Sequence, residues 1–124
     1  MPFVRFEGTG RSWTPRASVS RSGMIGLNDG ARRRFNVDGA KLCVLYYDEE
    51  TKRIGIELTN EEGVPGARKI RLRPTGADIA ARAFLDFFRI DRSETATYPV
   101  ERDPDTGYLI IPLAEKRARA KRRG

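Results

Sequence analysis

The apolar positions of this chain alternate in short runs broken by turn residues, the signature of a β-rich structure. Ala17 and Val19 point one way, and Arg16, Ser18 and Ser20 the other. Gly23 supplies a turn, after which Ile25 and Leu27 resume the alternation. Asn28 or Asp29 can cap a short helix, since either side chain accepts hydrogen bonds from the first free amides. That helix turns Ala31 and Phe35 inward and spreads Arg32, Arg33 and Arg34 around the rest of its circumference. The run Leu42-Cys43-Val44-Leu45-Tyr46-Tyr47 is too apolar for a half-exposed strand and predicts a central one. A polar hairpin loop from Asp48 to Arg53 follows, with Ile54, Ile56 and Leu58 on the returning strand.

Further along, Ile70 and Leu72 alternate with Lys69, Arg71 and Arg73, which puts three cations on one strand face. Thr75 and Asp78 read as the N-cap and early acidic residue of a second helix. Its stripe of Ala80, Ala83, Phe84, Phe87 and Phe88 is expected in the core. Tyr98 and Val100, then Tyr108, Ile110 and Leu113, flank the turn Asp105-Thr106-Gly107 and close a final hairpin.

These two stretches echo one another. Residues 17–35 lie without a gap on residues 70–88 at an offset of 53, bringing Val19 to Leu72, Gly23 to Gly76 and Phe35 to Phe88. After a slip of two, residues 46–58 lie on 101–113 at an offset of 55, with Asp48 on Asp103 and Leu58 on Leu113. Each copy reads strand, Gly-containing turn, helix, strand, hairpin, strand. The expected fold is therefore α+β and β-rich. Two β-α-β-β units, about 16–59 and 68–113, are pseudo-duplicated into one small barrel-like domain over 1–113, and a basic tail follows over 114–124.

A chain of 124 residues is long enough to bury a core without staples. Cys43 is the only cysteine, so no disulfide forms within the chain, and its apolar surroundings mark a core residue. No stretch reaches the roughly 20 apolar residues of a membrane span, and the N-terminal residues lack the pattern of a secretory signal. A soluble cytoplasmic protein with no membrane association is the expectation. The chain has no histidine. With one cysteine, that removes most zinc sites and most Ser/His or Cys/His nucleophile arrangements. The carboxylates fall mainly in turns, so the reading is a non-enzyme with no cofactor, no metal and no catalytic residue.

The net charge of +7 is unevenly distributed. Residues 1–47 contribute +5, residues 48–114 contribute −3, and residues 115–124 contribute +5. The tail bears Lys116, Arg117, Arg119, Lys121, Arg122 and Arg123, with no apolar side chain larger than alanine. Such a segment cannot pack into a core and reads as a phosphate-seeking arm or as a solubilising extension. Residues 1–16 interleave Phe3, Phe6 and Trp13 with Arg5, Arg11 and Arg16. That arrangement suits base stacking with phosphate contact, and equally an edge strand with solvated arginines.

The order of features in the first unit resembles the AbrB/MazE/MraZ swapped-hairpin superfamily of DNA-binding domains. Gly23, Ile25, Arg32 or Arg33, Phe35, Val37, Gly39, Val44, Asp48, Ile54 and Ile56 occupy the places of that pattern. The match spans about 38 residues, from Ser22 to Leu58. The proline that usually opens the family's helix is absent, with Leu27-Asn28 in its place, and the second unit departs further at Asp78. The resemblance implies two units interlocked into one barrel, with DNA contacts from basic side chains on the N-terminal strands and loops of each. The equivalent residues here are Arg16, Arg21, Lys69, Arg71 and Arg73, with Arg32, Arg33 and Arg34 nearby.

The leading expectation is a DNA-binding protein, a transcriptional or nucleoid-associated regulator that contacts phosphates through basic strands and tail. RNA or a ribonucleoprotein is the second candidate partner. A protein-interaction module, antitoxin-like or inhibitory, with a protein partner or a homodimer, is the third.

Overall fold

A computed structural model describes residues 14–115. Nine strands and two short helices follow one another as β1 (Arg16–Val19), β2 (Met24–Asn28), α1 (Asp29–Arg34), β3 (Leu42–Asp48), β4 (Arg53–Thr59), β5 (Arg68–Arg73), β6 (Gly76–Ala80), α2 (Arg82–Phe87), β7 (Ala96–Pro99), β8 (Glu101–Arg102) and β9 (Leu109–Pro112). Single 3-10 turns sit at Val37–Gly39 and Leu113–Glu115. All pairings are antiparallel, and the strand order is β7-β1-β2-β6-β5-β3-β4-β9-β8. The strands at the two ends, β7 and β8, are separated in the chain by Val100 alone, so the sheet curls into a nearly closed barrel. Near-closure hides most of the edge that an open sheet would present to other chains.

Period-two alternation explains the core. Ala17, Val19, Ile25, Leu27, Cys43, Ile54, Ile56, Ala77, Ile79, Leu109 and Ile111 are all at most 1% exposed and fill the interior. Burying each large aliphatic side chain is worth about 1.5–3 kcal/mol relative to exposure. Leu45, Tyr47, Leu58, Ile70, Phe88 and Leu113 pack around this cluster. Among the described residues, four of the eight pairings that hold the barrel join residues far apart in the chain. β1 pairs with β7 through Ala17 and Tyr98, β3 with β5 through Leu42 and Lys69, β2 with β6 through Gly26 and Asp78, and β4 with β9 through Gly55 and Ile110.

Two strands precede each helix, where the sequence reading had one. Gly23 adopts φ 94°, and the Ser20 carbonyl accepts from its amide at 3.0 Å. The chain therefore reverses, and the alternating residues beyond Gly23 return as β2 beside β1. Asn28 is the helix cap: its Oδ1 accepts from the Ala31 amide at 2.8 Å and from the Arg16 amide at 3.0 Å. One side chain thus starts α1 and ties it to β1.

The second helix begins later than the sequence implied. Residues 76–80 form β6 and do not open a helix, because Ala77 and Ile79 alternate inward while neighbours on both sides, β2 and β5, supply hydrogen-bond partners. Thr75 and Asp78 are accordingly not capping residues, and α2 starts at Arg82 without a side-chain cap. The expected stripe of Ala80, Ala83, Phe84, Phe87 and Phe88 is also corrected. Ala81, Phe84 and Leu85 are buried and Phe88 is half-buried, whereas Ala80 and Ala83 are exposed and Phe87 is 77% exposed. Anchoring Ala81 at the end of β6 sets the helix phase, so positions three, four and seven residues on turn inward.

Candidate nucleic-acid interface

The same alternation that fills the barrel builds a surface on its other side. Across β7-β1-β2-β6-β5, cross-strand register aligns Thr97, Ser18, Gly26, Asp78 and Arg71 in one outward row. In the adjacent row Pro99 pairs with Arg16, and Asn28 and Arg73 each pair with Gly76. The result is an open concavity of about 480 Å³ whose walls include Arg16, Arg73, Ser20, Ser22, Asn28 and Thr75. Glycine makes its floor. A Cβ on Gly26 would project between Ser18 Oγ, at 2.8 Å, and Asp78 Oδ1, at 3.5 Å.

Four of the cations expected from the sequence meet on this face. Arg16 comes from β1, and Lys69, Arg71 and Arg73 come from β5, where the odd-numbered side chains turn away from Ile70. Lys69 and Arg71 are exposed. The Arg73 Nε is ion-paired with Asp78 Oδ2 at 2.9 Å, and its Nη1 donates to Thr75 Oγ1 at 3.4 Å. Asp78 is the acid at the centre of this basic face, with its side chain 18% exposed. Sequence reading assigned it to a helix start; the signal that finds it is the alternation of Ala77 and Ile79 around it.

Other expected residues lie elsewhere or are occupied. Arg21 is exposed at the β1–β2 turn, where its amide donates to Thr95 Oγ1 at 3.3 Å and its carbonyl accepts from Arg92. The Arg32 guanidinium is committed internally, forked on Asp38 and donating to the carbonyls of Arg73 and Gly76. Its own pKa is raised, first by the hydrogen bond to Asp38. Arg33 pairs with the buried Asp29 at 3.0 Å, one helical turn away. Arg34 is exposed on the last turn of α1, where a cation suits the helix dipole. A second concavity, of about 400 Å³, lies between Asp29, Arg32, Arg33, Asn36, Asp38 and Pro74. Its charges are already paired, so it offers less to an anion than the outer sheet face does.

Comparison of the chain with family models, with curated proteins and with solved structures returns no match. The site's own geometry therefore carries the functional argument.

Lys116, Arg117, Arg119, Lys121, Arg122 and Arg123 lie outside the described residues, as does the aromatic and basic segment that ends at Trp13. Among the described residues, no group of three or more Cys, Asp or Glu side chains is arranged to hold a metal ion. Burial pushes the Cys43 thiol up to about 11. No helix among them is long and apolar enough to cross a membrane.

Proposed function

We propose that this chain is a DNA-binding protein, of the transcriptional or nucleoid-associated regulator kind, whose contact surface is the outer face of β1, β2, β5 and β6. The observation that carries this reading is the placing of Arg16, Lys69, Arg71 and Arg73 on one outer sheet face, with Arg16 and Arg73 lining a concavity floored by glycine, serine and threonine. Clustered cations release the counterions condensed on a duplex and supply affinity, while small polar groups leave room for close approach.

The pairing pattern supports a tandem swapped-hairpin architecture, as the resemblance implies. Hairpin β1–β2 pairs with β7 of the second half, and hairpin β5–β6 pairs with β3 of the first. On this reading each half lends its N-terminal hairpin to the other. Like strands then meet antiparallel at two places, β2 with β6 and β4 with β9, as an isologous contact requires. The helices α1 and α2 have six residues each and start 53 positions apart. The two halves so related would form an intrachain version of the family's dimer, and the basic tail would add affinity without sequence preference.

The test is duplex binding across a salt series, using the full chain, a truncation after Leu113 and the double variant Lys69→Ala/Arg71→Ala. The expected result is a steep salt slope that persists in the truncation. In the double variant the slope falls by about 2, roughly one unit per lost phosphate contact. Binding that vanishes with the tail, or that prefers structured RNA to duplex DNA, would overturn the reading.

A further inference from the structure

A carboxylate in the middle of a phosphate-binding surface is a liability unless something on the ligand donates to it. Asp78 stands in that position. It lies in register with Gly26 on one side and Arg71 on the other, at the floor of the concavity. Its Oδ2 is ion-paired with Arg73 Nε at 2.9 Å. Its Oδ1 lies toward Gly26, whose missing side chain leaves the approach open, and has no hydrogen-bond partner among the described residues.

We propose that Asp78 is the specificity-determining residue of this face, accepting a hydrogen bond from the exocyclic amino group of a cytosine in the major groove. The inference rests on the DNA-binding reading above. A phosphate is repelled from Asp78, so the part of the duplex that reaches it is a base edge carrying a donor. In the major groove only the cytosine N4 and adenine N6 amino groups qualify, and the adenine amino group has the acceptor N7 beside it. A carboxylate rejects that neighbour. Cytosine presents its amino group beside a C–H, which a carboxylate tolerates.

The same register makes the read-out one-sided. Facing Asp78 across the central strand pair is a glycine, so among the described residues that line the concavity Asp78 is a carboxylate with no counterpart. The strand beyond Asp78 carries three cations on this face, Lys69, Arg71 and Arg73, whereas the strand beyond Gly26 carries one, Arg16, with Ser18 beside it and Ser20 just past its end. The target accordingly has unlike halves, with cytosine specified at one position and not repeated by the dyad.

The experiment is selection from a pool of randomised duplexes by the full chain, by Asp78→Asn and by Asp78→Ser, with thermal melts of all three and non-specific affinity measured in parallel. The expected wild-type motif is non-palindromic and fixes one cytosine. Both variants lose preference at that position alone, by about tenfold, and keep or gain non-specific affinity because a negative charge is gone. If Asp78 only positions Arg73, the variants bind every sequence more weakly with the motif unchanged, and the proposal is overturned. A palindromic wild-type motif overturns it as well. A wild-type chain that binds no duplex overturns the DNA reading itself, and that failure is visible before any variant is compared.

Discussion

Arg32 closes a planar fork on Asp38, with Nε to Oδ1 at 2.6 Å and Nη2 to Oδ2 at 3.0 Å, while its Nη1 donates to the backbone carbonyls of Arg73 and Gly76. A helix that follows the first hairpin thereby straps the turn of the second. The opposite strap also exists: Arg92 forks on Asp86 at 3.0 and 3.2 Å and donates to the carbonyl of Arg21, in the turn of the first hairpin. Both hairpin tips that border the basic face are held by an arginine from the other half of the chain. The guanidinium suits this task because its flat array of donors serves a carboxylate and carbonyls together.

Arg32 should therefore behave as a clamp. Arg32→Ala and Arg32→Lys are both expected to lower the melting temperature, by about 4–8 °C, because an ammonium cannot make the fork. Duplex affinity should fall less than in the Lys69→Ala/Arg71→Ala double variant. A lysine variant as stable as wild type, read in the same melting assay, would contradict the clamp.

Acid should loosen both straps. The hydrogen bond from Arg32 holds the Asp38 carboxyl below the ordinary value of 3.8, and that from Arg92 does the same for Asp86. A carboxylate depressed in the folded state stabilises fully above its unfolded pKa, and that stability is lost as pH falls through the lower folded value. Melting temperature should thus hold from neutrality down to about pH 5 and decline below it. The gap between wild type and Asp38→Asn/Asp86→Asn should narrow toward acid pH and at high salt, since both carboxylates are exposed. A gap independent of pH would count against these pairs as the acid-labile element.

Two glycines in the central strands should respond oppositely to alanine. At Gly76 a Cβ would lie 2.1 Å from the carbonyl oxygen of Leu27, which is backbone of the paired strand and cannot swing aside. Gly76→Ala should cost more than about 2 kcal/mol. At Gly26 the near atom is Ser18 Oγ, which can rotate away. Gly26→Ala should stay within about 1 kcal/mol of wild type yet weaken duplex binding, because the methyl group fills the floor of the concavity. Denaturant titration beside a binding curve separates the two effects.

The first half of the chain was more legible than the second for a physical reason. Asn28 is a side-chain cap, Gly23 a turn with positive φ, and Ile25 and Leu27 large apolar markers, so local chemistry announces β1, β2 and α1. In β6 the inward residues are Ala77 and Ile79, and the alanines with Asp78 mimic a helix opening. Only pairing on both flanks, with β2 and β5, makes that segment a strand. The joining of β1 to β7 and of β3 to β5 leaves no trace in either strand's own pattern, because alternation dictates which side chains turn inward and not which strand lies alongside. The cations of β5 could be named from the sequence, whereas the carboxylate among them could not be placed until β6 was.

Phe84 and Phe87, grouped together by the sequence pattern, should separate on mutation. Phe84 is buried and edge-packed against Phe88, with ring centroids 5.3 Å apart, whereas Phe87 is 77% exposed. Phe84→Ala is expected to cost about 3–5 kcal/mol, and Phe87→Ser to stay within about 0.5 kcal/mol. Equal losses in urea unfolding would mean that Phe87 is covered in solution.

Cys43 offers a probe of barrel opening that needs no mutation. It is fully buried in β3, and desolvation pushes its thiol up to about 11 despite a small opposing effect from Arg68. At pH 8 the thiolate fraction in the folded state is on the order of one in a thousand, and reagent access is blocked in addition. Labelling by a thiol-specific reagent should therefore require opening of the paired strands β3, β4 and β5, between which Cys43 is held by Leu58 and Arg68. Its rate should rise with added urea along the same slope as global unfolding. Fast labelling that is insensitive to denaturant would mean that β5 peels from β3 locally. Since β5 bears Lys69, Arg71 and Arg73, such peeling should slow when duplex is bound, and it would mark the β3–β5 seam as the weak joint of the barrel.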